Sequence, residues 1–330
     1  MYIPKGFNAD TLRKYPKLHD FYQRLGETPI IEIDTPSGHG RIFAKCEWNH
    51  PAGTIKAKVA LAMVWRLLDK LDERLDEITI LEYSGGGLSM ALAELCYELG
   101  VKCVLVLMQG TPDSILDRLH SLQAEVVLSD KKYGFYGVME KGMALSAEHP
   151  DWKFLYQHQN WANFDFHSEV TAREITDVFP DSIDAWVASI GTGGTLTGVY
   201  NGLKAHHPNL RLYTNMPAEM PYGSDGPSNS LPKFSGSGGL GCGRKQKFVE
   251  RVEEEIVAHH LVSFQESKQA MLDFYRSSGL MIGSSAAANL LVAYRIAEEL
   301  GEDATVMTVF PSAALPEEQQ EILNKAAAYA

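Results

Sequence analysis

Ala185-Trp-Val-Ala-Ser-Ile-Gly-Thr-Gly-Gly-Thr-Leu-Thr-Gly198 joins a short apolar run to a turn of glycine and threonine. Residues 185 to 190 have the length and continuity of a strand covered on both faces. A helical pattern starts at Thr195, and Gly191 to Gly198 holds four glycines and three threonines. Backbone amides at the helix start, with the positive end of its dipole, form a seat for an anion such as a phosphate dianion. Glycine admits that close approach and tolerates positive φ. Two nucleotide patterns are excluded. A dinucleotide fingerprint needs glycine three positions after Gly193, where Leu196 stands. The nearest approach to a Walker A loop, Gly238 to Lys245, has Arg244 at the lysine position and no Ser or Thr after it. The plain alternative is a tight strand–helix turn with no ligand.

The same strand–loop–helix unit recurs on both sides. Upstream, Arg41 to Glu47 and Ile78 to Glu82 read as strands, and Lys58 to Leu71 as a largely buried helix. Met90 to Leu99 is a helix stopped by Gly100, and Val101 to Met108 is a buried strand broken only by Lys102. Helix Ser114 to Ala124 and strand Glu125 to Leu128 follow. Downstream come strand Leu210 to Thr214, helices Ser267 to Ser277 and Ala286 to Leu300, and strand Ala304 to Phe310. This alternation predicts an α/β chain with mostly parallel sheets covered by helices. A polar, aromatic, Asn- and Gln-rich stretch at 145 to 160 separates the two series. Two lobes with a ligand cleft at the strands' carboxyl ends follow. Residues 216 to 246 collect Gly, Pro and Ser into a long loop of the functional or mobile kind.

Composition narrows the function. A chain of 330 residues fits about two domains. With 45% hydrophobic and 22% charged residues it is neither disordered, collagen-like nor a coiled coil. Acids outnumber bases 42 to 30, giving −12, so nucleic acid and anionic membrane surfaces are not expected partners. The longest uncharged apolar run, Val59 to Trp65, falls short of the roughly 20 residues a membrane span needs. The first residues lack signal-peptide zones, and Cys46, Cys96, Cys103 and Cys242 form no CxxC pair. The expectation is a reduced, cytoplasmic protein.

Two more small-residue loops run into helices, Ser84-Gly-Gly-Gly-Leu-Ser89 and Gly283-Ser-Ser-Ala-Ala287. Each is a second-rank anion seat. Gly87-Leu-Ser89-Met-Ala91 approximates a hydrolase nucleophile elbow but lacks the final glycine. Lys56 stands at the start of an apolar helix, where its charge opposes the dipole. On the plain reading, Lys56 and Lys58 form an exposed polar edge. On the chemical reading, Lys56 is a partly buried amine with a depressed pKa, nucleophilic toward an aldehyde.

In this order the segments resemble the fold-type II pyridoxal-phosphate enzymes, specifically the cysteine synthase and cystathionine β-synthase family. The likeness runs from Leu25-Gly-Glu-Thr-Pro-Ile to Phe310-Pro-Ser. Lys45-Cys-Glu-Trp-Asn-His-Pro-Ala-Gly-Thr-Ile-Lys56 resembles the Schiff-base motif, which implies that Lys56 holds pyridoxal 5'-phosphate and serves as the base at Cα. Gly191, Thr192, Gly193, Gly194 and Thr195 resemble the phosphate cup. Gln157-His-Gln-Asn-Trp-Ala-Asn163, with His167 and Thr171 to Ile175, resembles the segment entering the larger lobe. Gly279 to Ser285 resembles the loop whose serine meets the pyridine nitrogen, implying Ser285 or its neighbour Ser284.

The resemblance implies a tryptophan synthase β-like fold of two three-layer α/β lobes with mostly parallel sheets and the active site in the cleft. Its divisions would be an N-terminal segment, 1–42, packing on the larger lobe; a smaller substrate-loop domain, 43–150; and a larger phosphate-binding domain, 151–330. Implied substrate contacts are Thr54, Ser84, Gly85, Gly86, Leu88, Ser89 and Gln157, with Gly87 beside the cofactor. The implied activity is β-replacement on an activated L-serine or L-cysteine type substrate, through an aminoacrylate, with a nucleophilic co-substrate in a homodimer. A β-eliminating lyase or dehydratase and a non-catalytic, partner-binding member are the alternatives.

Departures from the family pattern point to a specialised substrate. The usual Thr-Ser-Gly-Asn-Thr is Ser84-Gly85-Gly86-Gly87-Leu88, so the asparagine that would bond the cofactor's phenolic oxygen is Gly87. Asn49-His50-Pro51, Ala57 and Ser312-Ala-Ala-Leu also differ. A wider, more apolar pocket results. His206-His207 and His259-His260 are expected on the surface near helix ends, without metal-binding spacing. His158 and His167 are candidates to line the cleft, with a satisfied structural role the expectation for each, and Cys242 is expected as a buried or bystander thiol with a reactive thiol as the alternative.

Overall fold

The computed structural model describes residues 2–179, 182–224 and 243–327, so Cys242 and most of the 216–246 loop lie outside the described residues. The larger sheet has the order β1 (Ile30–Ile33), β2 (Arg41–Cys46), β10 (Thr305–Phe310), β7 (Ala185–Ser189), β8 (Arg211–Pro217) and β9 (Ile256–Val262). In it only β1 and β2 pair antiparallel. The smaller sheet, β5 (Glu125–Ser129), β4 (Lys102–Met108), β3 (Thr79–Tyr83) and β6 (Lys153–Phe154), is wholly parallel.

Both sheets are apolar on both faces, which is why their strands read as continuous runs. In β4, Cys103, Leu105 and Leu107 join a core shared with α1 (Ala9–Lys14), α2 (Pro16–Leu25), α3 (Lys56–Leu68), α4 (Gly87–Leu99) and α5 (Asp113–Ser121). Val104 and Val106 face the other way, into a core with α6 (Gly134–Glu148). From α7 (Trp161–Phe166) the chain passes through a π-helical turn, His167–Thr171, into α8 (Ala172–Val178). In the larger sheet, Phe43 packs with α8 and α9 (Gly194–Lys204). Ile42, Ala44 and Cys46 pack with α10 (Phe264–Ser278), α11 (Ser284–Leu300) and α12 (Pro316–Ala327). Phe166 of α7 belongs to the smaller lobe's core, so the crossing segment ties the lobes together.

The N-terminal segment does not pack as expected. Leu18, Phe21 and Leu25 of α2 bury against the core around Trp65 of α3, on the smaller lobe, and only β1 joins the larger sheet. Strand β2, which a boundary at 42/43 would split, lies in the larger sheet, while β6 extends the smaller one past residue 150.

A buried charge cluster anchors α3. Lys58 places its amine 3.1 Å from Glu47 and 2.7 Å from Glu174, so it is no part of an exposed edge. Lys45 adds a 2.9 Å pair to Glu174 and donates to Thr28 Oγ1 at 2.6 Å. His50 presents Nε2 to Glu47 at 2.5 Å and Nδ1 to the Leu25 carbonyl at 2.8 Å. Burial opposes ionisation of Glu47, yet Lys58, His50 and Lys45 together hold its carboxyl well below the usual range. Glu47→Ala leaves the two buried ammonium groups of Lys45 and Lys58 with Glu174 as their shared carboxylate and is expected to cost about 3 kcal/mol. Urea unfolding checks this as a lowered midpoint at unchanged slope.

Candidate active site

Lys56 opens α3. Ala52 and Gly53 both take positive φ, 60° and 66°, which turns the chain so that Thr54 bridges Ser312. The Ile55 amide then donates to the Pro311 carbonyl at 2.8 Å, fixing Lys56 beyond the carboxyl end of β10. Lys56 lines a cavity with Thr54, Ser189, Gly191, Thr192, Gly193 and Thr195. Burial alone pushes Lys56 down to about 8. Thr54 accepts the Lys56 amide through Oγ1 at 3.3 Å.

The glycine loop after β7 is built around groups behind it. Gly193 sits at φ 85°, and a Cβ there would come within 2.6 Å of Val249. At Gly194 a Cβ would lie 2.3 Å from Asn163 Oδ1. Thr192 Oγ1 accepts the Gly194 amide at 3.2 Å and Asn163 Nδ2 at 3.0 Å. Thr195 meets His167 Nε2 at 3.0 Å, and His167 Nδ1 meets Thr171 at 2.9 Å. Burial, then the charges of Lys58 and Lys56, hold His167 well below its ordinary pKa. A neutral ring can donate at one nitrogen and accept at the other, so it bridges the two threonines. His167 is thus satisfied, as the sequence suggests, but it also braces the cup.

The loop after β3 enters α4 directly against Lys56. A Cβ on Gly87 would stand 3.4 Å from Thr54 Oγ1 and 3.5 Å from Lys56 Cγ. The Gly87 and Leu88 amides at the start of α4 have no acceptor within the helix and remain available to an anion. Not every expected contact residue presents its side chain. Ser84 Oγ accepts the Gly86 and Ser89 amides at 3.0 and 3.2 Å, and Ser89 Oγ donates to the Gly86 carbonyl at 2.9 Å. Leu88 packs into the smaller lobe's core. Gln157 donates through Nε2 to the Tyr83 carbonyl at 2.7 Å, clamping the loop's entry. Glu82, buried beneath, is raised to about 8 by desolvation despite amide donors from Tyr83 and Gln157.

At the start of α11, Ser284 and Ser285 separate. Glu318 hydrogen-bonds Ser284. Ser285 Oγ is buried with no partner among the described residues, an orphan that a bound ligand would satisfy. His259 and His260 lie on the edge strand β9 instead of at a helix end, and the described residues hold no metal-binding cluster. A desolvated amine, an anion cup in the same cavity and an orphaned serine fit a phosphorylated aldehyde.

The family model for the pyridoxal-phosphate dependent enzymes matches residues 22–312, and the chain belongs to that family. A cysteine synthase from a Flavobacterium species is 30% identical over 277 residues, covering 81% of this chain and 85% of the relative. Among solved structures, an O-acetylserine dependent cystathionine β-synthase from Helicobacter pylori superposes with a TM-score of 0.80 at 24% identity, over 89% of this chain and 95% of that one. An O-ureido-L-serine synthase gives 0.80 at 23% identity, over 94% and 98%. These likenesses establish the fold-type II architecture and pyridoxal phosphate as the cofactor. Gly193→Ala forces a methyl into Val249 at positive φ. It is expected to weaken pyridoxal phosphate binding about tenfold or more, read by fluorescence titration of the apo-protein.

Proposed function

We propose that this enzyme replaces the β substituent of an activated L-serine or L-cysteine type amino acid with a nucleophilic co-substrate. The observation that carries the reading is Lys56, a desolvated amine sharing one cavity with the anion cup. The cysteine synthase relative supports replacement. When bound, pyridoxal phosphate supplies an electron sink for negative charge at the substrate Cα. Lys56 holds the cofactor and moves the Cα proton; an amine poised near pH 8 can take that proton and return it. Gly191, Thr192, Gly193, Gly194 and Thr195 hold the phosphate, with Asn163 and His167 fixing the two threonines from behind.

Ser285 receives the ring nitrogen. A neutral hydroxyl there leaves that nitrogen mostly unprotonated and favours chemistry at Cβ over transamination. The amides of Gly85, Gly87 and Leu88 seat the substrate carboxylate, while Ser84, Gly86, Ser89 and Gln157 keep the loop in shape. Gly87 leaves space beside Lys56 that the family's asparagine would fill, which suits a specialised donor or nucleophile. The four-stranded lobe carries the substrate loop and the six-stranded lobe the phosphate cup.

Release of pyruvate and ammonia by simple elimination would use the same residues, and the products separate the two readings. A non-catalytic role leaves the desolvated amine without a use. The setting we infer is a cytoplasmic homodimer. Cys46, Cys96 and Cys103 are buried free thiols, and no helix among the described residues is long and apolar enough to cross a membrane.

Incubation with an O-acyl- or O-phospho-L-serine and a thiol is expected to yield the β-thioether of alanine, by mass spectrometry. Pyruvate as the sole product contradicts the assignment. Gly87→Leu, whose branched end reaches Lys56, is expected to lower kcat/KM roughly 10²-fold at an unchanged unfolding midpoint.

A further inference from the structure

Among the described residues, Arg244 is a cation that neither the cup nor the substrate loop employs. Arg244 lies over the ring of Tyr136, with Cζ 5.2 Å from its centroid, so it reaches from the chain after β8 to α6 of the smaller lobe. Its main chain is fixed on both sides. Gly243 sits at φ 77° against the Met220 and Pro221 carbonyls, which a Cβ would approach to 2.9 and 2.8 Å. The Gly223 amide donates to the Gly243 carbonyl at 2.8 Å, and the buried Gln246 donates through Nε2 to the Arg244 carbonyl at 3.0 Å. Met220 packs in the smaller lobe's core with Tyr83 and Val138. On the other side of Arg244, Val249 closes on Gly193 of the cup.

The charge of the guanidinium is felt at His158, beside the strand that leads into the substrate loop. His158 stacks on Tyr83, which immediately precedes Ser84, and hydrogen-bonds its hydroxyl at 2.8 Å. Burial, then the charges of Lys56 and Arg244, push this imidazole down to about 3. His158 therefore lies within the field of both cations. The buried lysines 45 and 58 are matched by Glu47 and Glu174, whereas no carboxylate among the described residues pairs with Arg244. A half-buried, backbone-fixed guanidinium that crosses to α6 of the smaller lobe with no carboxylate partner among the described residues is a receptor for a planar or tetrahedral anion.

We propose that Arg244 is a specificity residue that receives an acidic group, carboxylate or phosphate, carried on the β side of the reaction. The group belongs either to the donor's leaving group or to the nucleophile, and it is distinct from the substrate's α-carboxylate, which the loop after β3 seats. The inference rests on the β-replacement reading. With an O-linked donor and a thiol, the Cβ–O bond breaks and its electron pair stays on the leaving oxygen. The thiolate sulfur forms the new bond to Cβ, its proton having gone to solvent, and Lys56 returns the proton it took from Cα.

The test uses holoenzyme, wild type against Arg244→Ala and Arg244→Lys. Donors are O-phospho-L-serine and O-acetyl-L-serine; acceptors are 3-mercaptopropionate and 2-mercaptoethanol. The ratio of kcat/KM for the acidic over the neutral partner is expected to fall about 30-fold in Arg244→Ala, with part retained in Arg244→Lys. A fall confined to the donor pair places the acid on the leaving group; one confined to the thiol pair places it on the nucleophile. An unchanged ratio in both pairs overturns the proposal. Absence of turnover with every pair would instead sink the β-replacement reading. Calorimetric binding of the two donors and the two thiols then decides Arg244 on its own. Tighter binding of the phosphate ester over O-acetyl-L-serine, or of 3-mercaptopropionate over 2-mercaptoethanol, that is lost in Arg244→Ala supports it, and equal binding of all four by the two proteins overturns it.

Discussion

Two lysines on one helix meet opposite fates, and the site depends on that contrast. Side chains at i and i+2 leave a helix roughly 200° apart. Lys58 therefore turns inward, where burial would strip its proton but Glu174 and Glu47 hold its pKa above the ordinary value. Lys56 turns toward the cleft, where nothing offsets burial, and drops to about 8. The cluster around Glu47 clamps α3 to the N-terminal segment through Thr28 and Leu25 and to α8 through Glu174. One lysine anchors the helix so that the other stays reactive at its first turn.

The cup shows a similar division between the groups that face a ligand and those that hold them. Thr192 and Thr195 line the cavity, but Asn163 and His167 set their positions from the crossing segment. Gly194 and Gly198 lie close enough to that segment that a side chain at either would collide with it. Glycine in this loop therefore serves two ends: it exposes amides, and it lets α9 seat against α7 and the π-helical turn. The substrate loop is built more sparely, with its own hydroxyls bonded to its own backbone. Selectivity there falls to backbone amides and to what the facing lobe supplies, of which Arg244 is the charged member.

Local patterns carried much of this into view. Continuous apolar runs marked seven of the strands, six of them to within a residue at each end and β8 three residues short, because two-sided burial leaves little polar alternation to misread. Lys56, the cup and the serines that open α11 were legible because each sits at a helix start with a recognisable spacing. What stayed hidden was long-range or masked by composition. Glu174 is 116 positions from the lysine it neutralises. Helix α6 contains Gly137 and Gly142, poor helix formers, yet their missing side chains admit Tyr133 and Tyr83 at contact distance. Strand β9 alternates half-buried and exposed residues at a sheet edge and carries two histidines, so it lacks the apolar signature of its neighbours. The orphaned hydroxyl of Ser285, which separates it from Ser284, is a property of packing that no motif contains.

The most direct measurement is where the aldehyde of pyridoxal phosphate attaches to the purified apo-protein, and at what pH. Borohydride reduction followed by peptide mass mapping should find a single pyridoxyl group on Lys56, forming with a midpoint near pH 8. Modification spread over surface lysines, or a midpoint in the ordinary lysine range near 10.4, would show that this amine is neither desolvated nor aimed at the cup.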